Sequence, residues 1–127
     1  MMIDPLLKSY ASGLSVLYVE DDPIGAAIIK KMLESLFDRV YGASDGAEGL
    51  RQFHLRQPDL VVSDLMMPVM DGIAMLQEIR KNNQKLPVVL MTASLEHVHL
   101  VEVINLGVSK FLAKPLRTDA LQRALLG

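Results

Sequence analysis

The feature that most constrains the fold of this chain is a strict alternation of short apolar runs and amphipathic stretches. The runs are residues 14–19, 39–43, 60–63, 86–91 and 109–113, and a stretch with helical spacing of apolar residues follows each one. Because links between them are short and parallel crossovers are right-handed, this pattern predicts a five-stranded parallel sheet with helices on both faces. Within this doubly wound α/β class we predict the strand order 2-1-3-4-5, which sets strands one and three side by side.

The helix boundaries are predicted from capping residues. Asp22 with Pro23, then Asp45, Asp71, Ser94 and Thr118 each stand where a helix begins, and Gly107 stands where one ends. The first helix after strand one carries six apolar residues at helical spacing, which we expect to share one face: Ile24, Ile28, Ile29, Met32, Leu33 and Leu36.

The chain is long enough for one domain with a full core, and we predict that domain over residues 14–127. Residues 1–13 are predicted to form an N-terminal extension. Two interpretations stay open for it: a helical turn with Leu6, Leu7 and Tyr10 packed on the domain, or a frayed tail.

Composition excludes several classes of function. The chain has no cysteine, which rules out disulfides, thiol catalysis and thiolate metal sites. The net charge of −2 and the absence of a basic run argue against direct nucleic-acid binding. No segment reads as a signal peptide or a membrane span, so a cytoplasmic location is the expectation. His54, His97 and His99 lack the spacing of a metal site and are predicted to lie at or near the surface.

Polar residues collect at the predicted carboxyl ends of the strands. Strand one is followed by Glu20, Asp21 and Asp22, and strand three ends at Asp64. Thr92 follows strand four and Lys114 follows strand five. Ligands of open α/β sheets bind at this edge, so we expect these side chains to share one crevice.

This set of residues has the chemistry of a phosphoryl-transfer centre. Several carboxylates without histidine or cysteine suit Mg²⁺, which neutralises their repulsion and accepts phosphate oxygens. An aspartate is able to act as a nucleophile and form an acyl phosphate. A lysine ammonium and a threonine hydroxyl offset charge on the transferring group.

With these motifs in place, the chain resembles the receiver domain of two-component response regulators. The resemblance spans roughly residues 14 to 126 and rests on four pieces in order at the right strand ends: VEDDP at 19–23, DLMMPVMDG at 64–72, MTA at 91–93 and FLAKP at 111–115. It implies a flavodoxin-like fold. It also implies a signalling domain, not a conventional enzyme, which promotes its own phosphorylation and dephosphorylation.

The resemblance also implies roles for individual residues. Asp64 would be the phosphoacceptor, taking a phosphoryl group from a phosphohistidine of a sensor histidine kinase or a histidine phosphotransfer protein. Asp21 would bind Mg²⁺ directly and Glu20 through water, while Asp64 and the backbone carbonyl of Met66 complete the protein's metal ligands. Thr92 and Lys114 would grip the phosphoryl group.

A second set of implied roles concerns switching and turnover. Phe111 would pack inward when Thr92 moves toward the phosphate, and this changes the surface formed by the helix after strand four, strand five and the last helix. The family uses that face for partners or dimers, so an output partner of unknown identity and a homodimer are expectations. Met66 and Ser94 would tune dephosphorylation. The Lys114–Pro115 peptide is expected to be cis.

Two alternative functions are compatible with these residues. The first is a Mg²⁺-dependent phosphohydrolase of the haloacid dehalogenase type, which needs its nucleophile on strand one in an Asp-x-Asp arrangement. The second is a degenerate receiver that serves only as a docking module. The Glu20-Asp21-Asp22 sequence argues against the first, and the intact acidic pair with Lys114 argues against the second.

Overall fold

The computed structural model describes residues 2–93 and 100–127. Its strands are β1 (Ser15–Val19), β2 (Arg39–Ala43), β3 (Leu60–Asp64), β4 (Val88–Thr92) and β5 (Lys110–Ala113). Its helices are α1 (Pro5–Ala11), α2 (Pro23–Leu36), α3 (Gly46–Arg56), α4 (Gly72–Asn82), α5 (Leu100–Asn105) and α6 (Thr118–Leu126). No helix in this described part of the chain has the length and apolar character needed to span a membrane.

The five strands form one parallel sheet in the order β2-β1-β3-β4-β5, which confirms the predicted fold class and strand order. The register aligns the ends of the two central strands, because Val19 of β1 lies opposite Ser63 of β3. The residues that follow them, Glu20 and Asp64, are therefore neighbours at the carboxyl edge. The chain places β2 on one side of β1 and β3 on the other, so β1 and β3 meet at the topological switch point, where ligands bind in such folds.

Two apolar layers cover the sheet, one on each face. Alternate residues of β1 point to opposite sides, so Val16 and Tyr18 belong to one layer and Leu17 and Val19 to the other. Helices α1, α2 and α6 cover the first face, and α3 and α4 cover the second. Apart from Ser63, Asp64 and Thr92 near the carboxyl edge, the buried strand residues are apolar on both faces, which is typical of a fully covered parallel sheet.

The predicted apolar face of α2 is wrong over its first two turns. Ile24 and Ile28 are 79% and 60% exposed, whereas Ile29, Met32, Leu33 and Leu36 are buried as predicted. The reason is that α2 begins at the open carboxyl edge of the sheet. Ile28 there lines a cavity beside Glu20 and Lys114.

The predicted caps are confirmed at three helices. Asp22, Asp45 and Asp71 each accept hydrogen bonds from the first turn of their helix. Gly107 follows α5 with φ +69, as expected of a residue that ends a helix. Thr118 is not a cap: Arg117 occupies that position and its guanidinium bonds Asp119. Ser94 lies outside the described residues.

The N-terminal extension is a helix packed on the domain, not a frayed tail. Asp4 caps α1, and Leu7 and Ala11 are buried in the core. Leu6 and Tyr10, which the helical interpretation packs on the domain with Leu7, are largely exposed.

Candidate functional site

An acidic cluster lies where β1 and β3 end. Glu20, Asp21 and Asp64 each place a carboxylate oxygen within 4.8 Å of the others. The side chains of Glu20 and Asp64 are almost fully buried, whereas Asp21 is exposed at the mouth of the cluster. The cluster follows directly from the β1–β3 register, and three of the predicted metal-binding residues are thereby brought together.

Lys114, from the end of β5, closes this cluster. Its Nζ lies 2.8 Å from Asp64 Oδ2 and 2.9 Å from both Glu20 Oε1 and Oε2. The backbone N–H of Asp22 donates a further hydrogen bond to Glu20 Oε1, at 3.2 Å. One ammonium thus bridges two buried carboxylates from different strands.

The bridge does not neutralise the cluster completely. Burial raises the pKa of Glu20 and the negative charge of Asp64 raises it further, while the hydrogen bond from Lys114 opposes both. Burial lowers the pKa of Lys114, but its hydrogen bonds and ion pairs with Asp64 and Glu20 outweigh this effect and the pKa is raised. The lysine is therefore firmly protonated, and an excess of negative charge remains near it.

A divalent cation fits this arrangement. The donors are carboxylate oxygens, which Mg²⁺ prefers, and they stand close enough for shared coordination. No hydrogen bond or ion pair engages the Asp21 carboxylate within the described residues, so that group is available to a cation. Met66 lies in the loop directly after Asp64 with its side chain exposed.

Thr92 and Phe111 lie on the two strands beside the cluster. Thr92 ends β4, is buried, and accepts the backbone N–H of Lys114 on its carbonyl oxygen at 2.7 Å. Phe111, in β5, lies opposite Leu90 of β4 and is half-buried. The Lys114–Pro115 peptide is cis, as expected. His54 is exposed and outside this site, and His97 and His99 lie outside the described residues.

A cavity of about 450 Å³ lies beside the cluster and was not predicted from the sequence. Tyr18, Glu20 and Lys114 line it together with Ile28 and Leu116. Burial raises the pKa of the Tyr18 hydroxyl, and the nearby carboxylate of Glu20 raises it further. The sequence could have placed Tyr18 beside Glu20, because the two residues are two positions apart and side chains at that spacing in a strand share a face.

Comparisons with known proteins agree with this geometry. Residues 16–126 match the family described as the response regulator receiver domain. A probable C4-dicarboxylate response regulator, DctR of Priestia megaterium, is 33% identical over 113 residues, covering 87% of this chain and 50% of that protein. This chain spans half of that relative's length and smaller shares of several other curated relatives.

Two solved structures are similar over most of their length. The N-terminal domain of an uncharacterized protein from Wolinella succinogenes has a TM-score of 0.83 and 34% identity, covering 90% of this chain and 92% of that one. The receiver domain of a sensor histidine kinase from Pseudomonas aeruginosa has a TM-score of 0.78 and 32% identity, covering 89% and 94%. That structure is described with a magnesium ion coordinated in its active-site cleft.

The family match spans the sheet and the helices that carry the acidic cluster and its lysine. The resemblance inferred from the four sequence motifs is confirmed. The chain therefore belongs to the response regulator receiver domain family, whose members are signalling domains of two-component systems and not conventional enzymes.

Proposed function

We propose that this domain accepts a phosphoryl group on Asp64 from a phosphohistidine donor. The observation that carries the proposal is the contact of the Lys114 ammonium with Asp64 and Glu20 at 2.8–2.9 Å, beside the exposed Asp21. A carboxylate held against a fixed ammonium, at the ligand-binding edge of the sheet, is suited to react with a phosphorus centre.

The transfer replaces one bond to phosphorus with another. A carboxylate oxygen of Asp64 attacks the phosphorus atom, a P–O bond forms and the P–N bond to the donor imidazole breaks. The electron pair of that bond stays on the imidazole nitrogen. Lys114 already contacts Asp64 and offsets charge on the phosphoryl oxygens, and the Thr92 hydroxyl donates a hydrogen bond to one of them.

Mg²⁺, when bound, supplies further neutralisation of the phosphoryl charge. Glu20, Asp21 and Asp64, together with the Met66 carbonyl, are the proposed residues that hold it. Their carboxylate chemistry and mutual spacing support this assignment.

The proposed output is a change of surface. When Thr92 moves toward the acyl phosphate, Phe111 fills the vacated space, and the face formed by α5, β5 and α6 changes. This is a shift between two populations, driven by the added charge and acceptor oxygens. We propose this face as the site for an effector or a homodimer partner. Met66 and Ser94 would set the rate of dephosphorylation.

The test is phosphorylation of the purified chain with acetyl phosphate and Mg²⁺, followed by separation of the phosphorylated form. We expect wild type to incorporate label and Asp64→Asn to incorporate none. Asp38→Asn is the matched control, because Asp38 is an exposed aspartate whose carboxylate lies 3.8 Å from the Arg39 guanidinium. Label retained by the Asp64 variant would overturn the proposal.

The same preparation separates the competing functions. Multiple turnover of a phosphomonoester would support the phosphohydrolase, which the family match does not favour. Absence of any Mg²⁺ binding by wild type would support a docking module. Transfer from a sensor histidine kinase or a phosphotransfer protein, without nucleic-acid binding by this domain, is the outcome we propose.

A further inference from the structure

Helix α1 lies before the family match, which begins at residue 16, yet it contributes to the core. Leu7 and Ala11 are each only 3% exposed and belong to the apolar layer that α2 and α6 share. Residues 2–11, here named the N-terminal strap, thus precede the family match and pack against two helices of the matched domain, α2 and α6.

Gln122 of α6 binds the strap through two hydrogen bonds. Gln122 is buried, its Oε1 accepts the backbone N–H of Asp4 at 2.8 Å, and its Nε2 donates to the carbonyl of Met2 at 2.9 Å. Asp4 in turn caps the strap's helix by accepting the N–H groups of Leu6 and Leu7. Within the described residues, the strap provides both hydrogen bonds of the Gln122 amide, and a buried amide without partners is costly.

The helix of the strap does not fill all the space between itself and the domain. A cavity of about 420 Å³ is lined by Leu7, Tyr10 and Ala11 of the strap and by Pro87, Lys110 and Leu125 of the domain. Segments with fewer close contacts open at lower free-energy cost than the surrounding core. The strap is therefore anchored at Gln122 and through Leu7 and Ala11, and it contributes no strand to the sheet.

The anchored helix is joined to the acidic cluster by a short link. Three residues, 115–117, separate Lys114 from the start of α6, and Lys114 contacts both Asp64 and Glu20. Any rearrangement that moves Lys114 or β5 acts on α6 through this link. The strap contacts α6 in the arrangement seen here, so it stabilises that arrangement relative to one in which α6 has shifted.

We infer that the N-terminal strap is an intramolecular restraint on the switch: it holds α6 in the unphosphorylated arrangement, and phosphorylation of Asp64 weakens it. This inference rests on the proposed function. Because coupling between two sites is reciprocal, release of the strap favours the phosphorylated arrangement by the same factor that phosphorylation favours release.

The test uses hydrogen exchange of the full chain with Mg²⁺ and beryllium fluoride, a mimic of an acyl phosphate. We expect the mimic to raise amide exchange in residues 6–11 of wild type by roughly fivefold or more. Gln122→Leu should raise exchange there without the mimic, and should tighten mimic binding by a similar factor. Gln84→Leu is the matched control, since Gln84 is exposed in a loop, and it should change neither quantity.

The outcomes separate this inference from the proposed function. If the mimic binds and alters exchange around Asp64 while exchange in residues 6–11 stays constant, the strap is only structural and the inference fails. If wild type binds no mimic in the presence of Mg²⁺, the proposed function fails and the inference fails with it. Should Gln122→Leu not fold, the wild-type exchange measurement decides by itself.

Discussion

Val69 has a backbone conformation that its side chain disfavours. Its φ is +69, and the N–H of Met70 donates to the carbonyl of Pro68 across it, at 2.8 Å. This is a three-residue turn with the φ of the rare, strained γ-turn, and β-branched residues seldom occupy it. The turn is also fixed from outside, because Met70 accepts the N–H of Gly46 from the start of α3. Strain is thus stored in the loop that follows Asp64.

We predict that Val69→Gly stabilises the protein. Glycine adopts positive φ without a steric cost, and the relief of strain of about 1–3 kcal/mol exceeds the entropy that glycine adds to the unfolded chain. The expected net gain is about 1 kcal/mol, or roughly 3–5 °C in Tm for a domain of this size. Calorimetry of the two proteins measures it.

Val101→Gly provides the matched control for this prediction. Val101 is also an exposed valine, but it lies within helix α5, where glycine is unfavourable. We expect this change to lower Tm. A Val69 variant that is less stable than wild type would show that the turn is not strained.

At the scale of secondary-structure elements, the start of α4 is packed against the end of β3. The N–H of Gly72 donates to the Leu65 carbonyl at 2.8 Å. A Cβ added at Gly72 would lie 2.5 Å from the carbonyl oxygen of Asp64 and 3.1 Å from the Leu65 Cα. Because both are backbone atoms, no rotamer change makes room. Gly72 thereby sets how closely α4 approaches the residue proposed as phosphoacceptor.

We predict that Gly72→Ala lowers the free energy of unfolding by about 1–3 kcal/mol, the usual cost of overpacking. It should also slow label incorporation at Asp64, since the backbone of that residue has to move. Urea unfolding and the acetyl phosphate assay measure the two effects. Gly42→Ala, in the edge strand β2 with only the flexible Lys30 tip nearby, should be neutral or stabilising. Equal effects of the two substitutions would contradict this account.

The elements were predictable where a local rule governs them. Alternating apolar runs predict the strands, and Asp22 with Pro23 predicts the start of α2, because a cap depends on adjacent residues alone. Exposure of Ile24 depends on what lies above α2, which periodicity does not encode. The burial of Gln122 likewise depends on a partner 118 residues away in sequence.

The candidate site likewise has features that the sequence predicted and features that it did not. Glu20, Asp64 and Lys114 were predicted to meet because the carboxyl ends of parallel strands lie at one edge. The bridging of two carboxylates by one ammonium was not predicted, since it depends on side-chain conformation and on the β1–β3 register.

At the scale of the whole molecule, the two ends of the sheet differ in character. The carboxyl edge contains two buried carboxylates, Glu20 and Asp64, that share the single ammonium of Lys114, with the carboxylate of Asp21 close by. The opposite edge has the apolar cavity next to the strap. Net charge is only −2, so the concentration of negative charge is local and not a property of the surface as a whole. Cation binding should therefore stabilise the fold through this one edge.

We predict that Mg²⁺ raises stability through Asp21. A ligand that binds only the folded state stabilises it by about 2.7 kcal/mol at a concentration one hundred times its Kd. Asp21→Asn removes an exposed carboxylate that has no hydrogen bond or ion pair within the described residues and that lies close to two other carboxylates, so we expect its stability without metal to equal or exceed that of wild type. With Mg²⁺, the variant should lose most of the increase in Tm. Asp38→Asn should keep the full Mg²⁺-dependent increase in Tm, because Asp38 is not among the carboxylates that form the acidic cluster. An equal Mg²⁺ effect in wild type and Asp21→Asn, after correction for ionic strength with NaCl, would show that the cation stabilises the protein elsewhere.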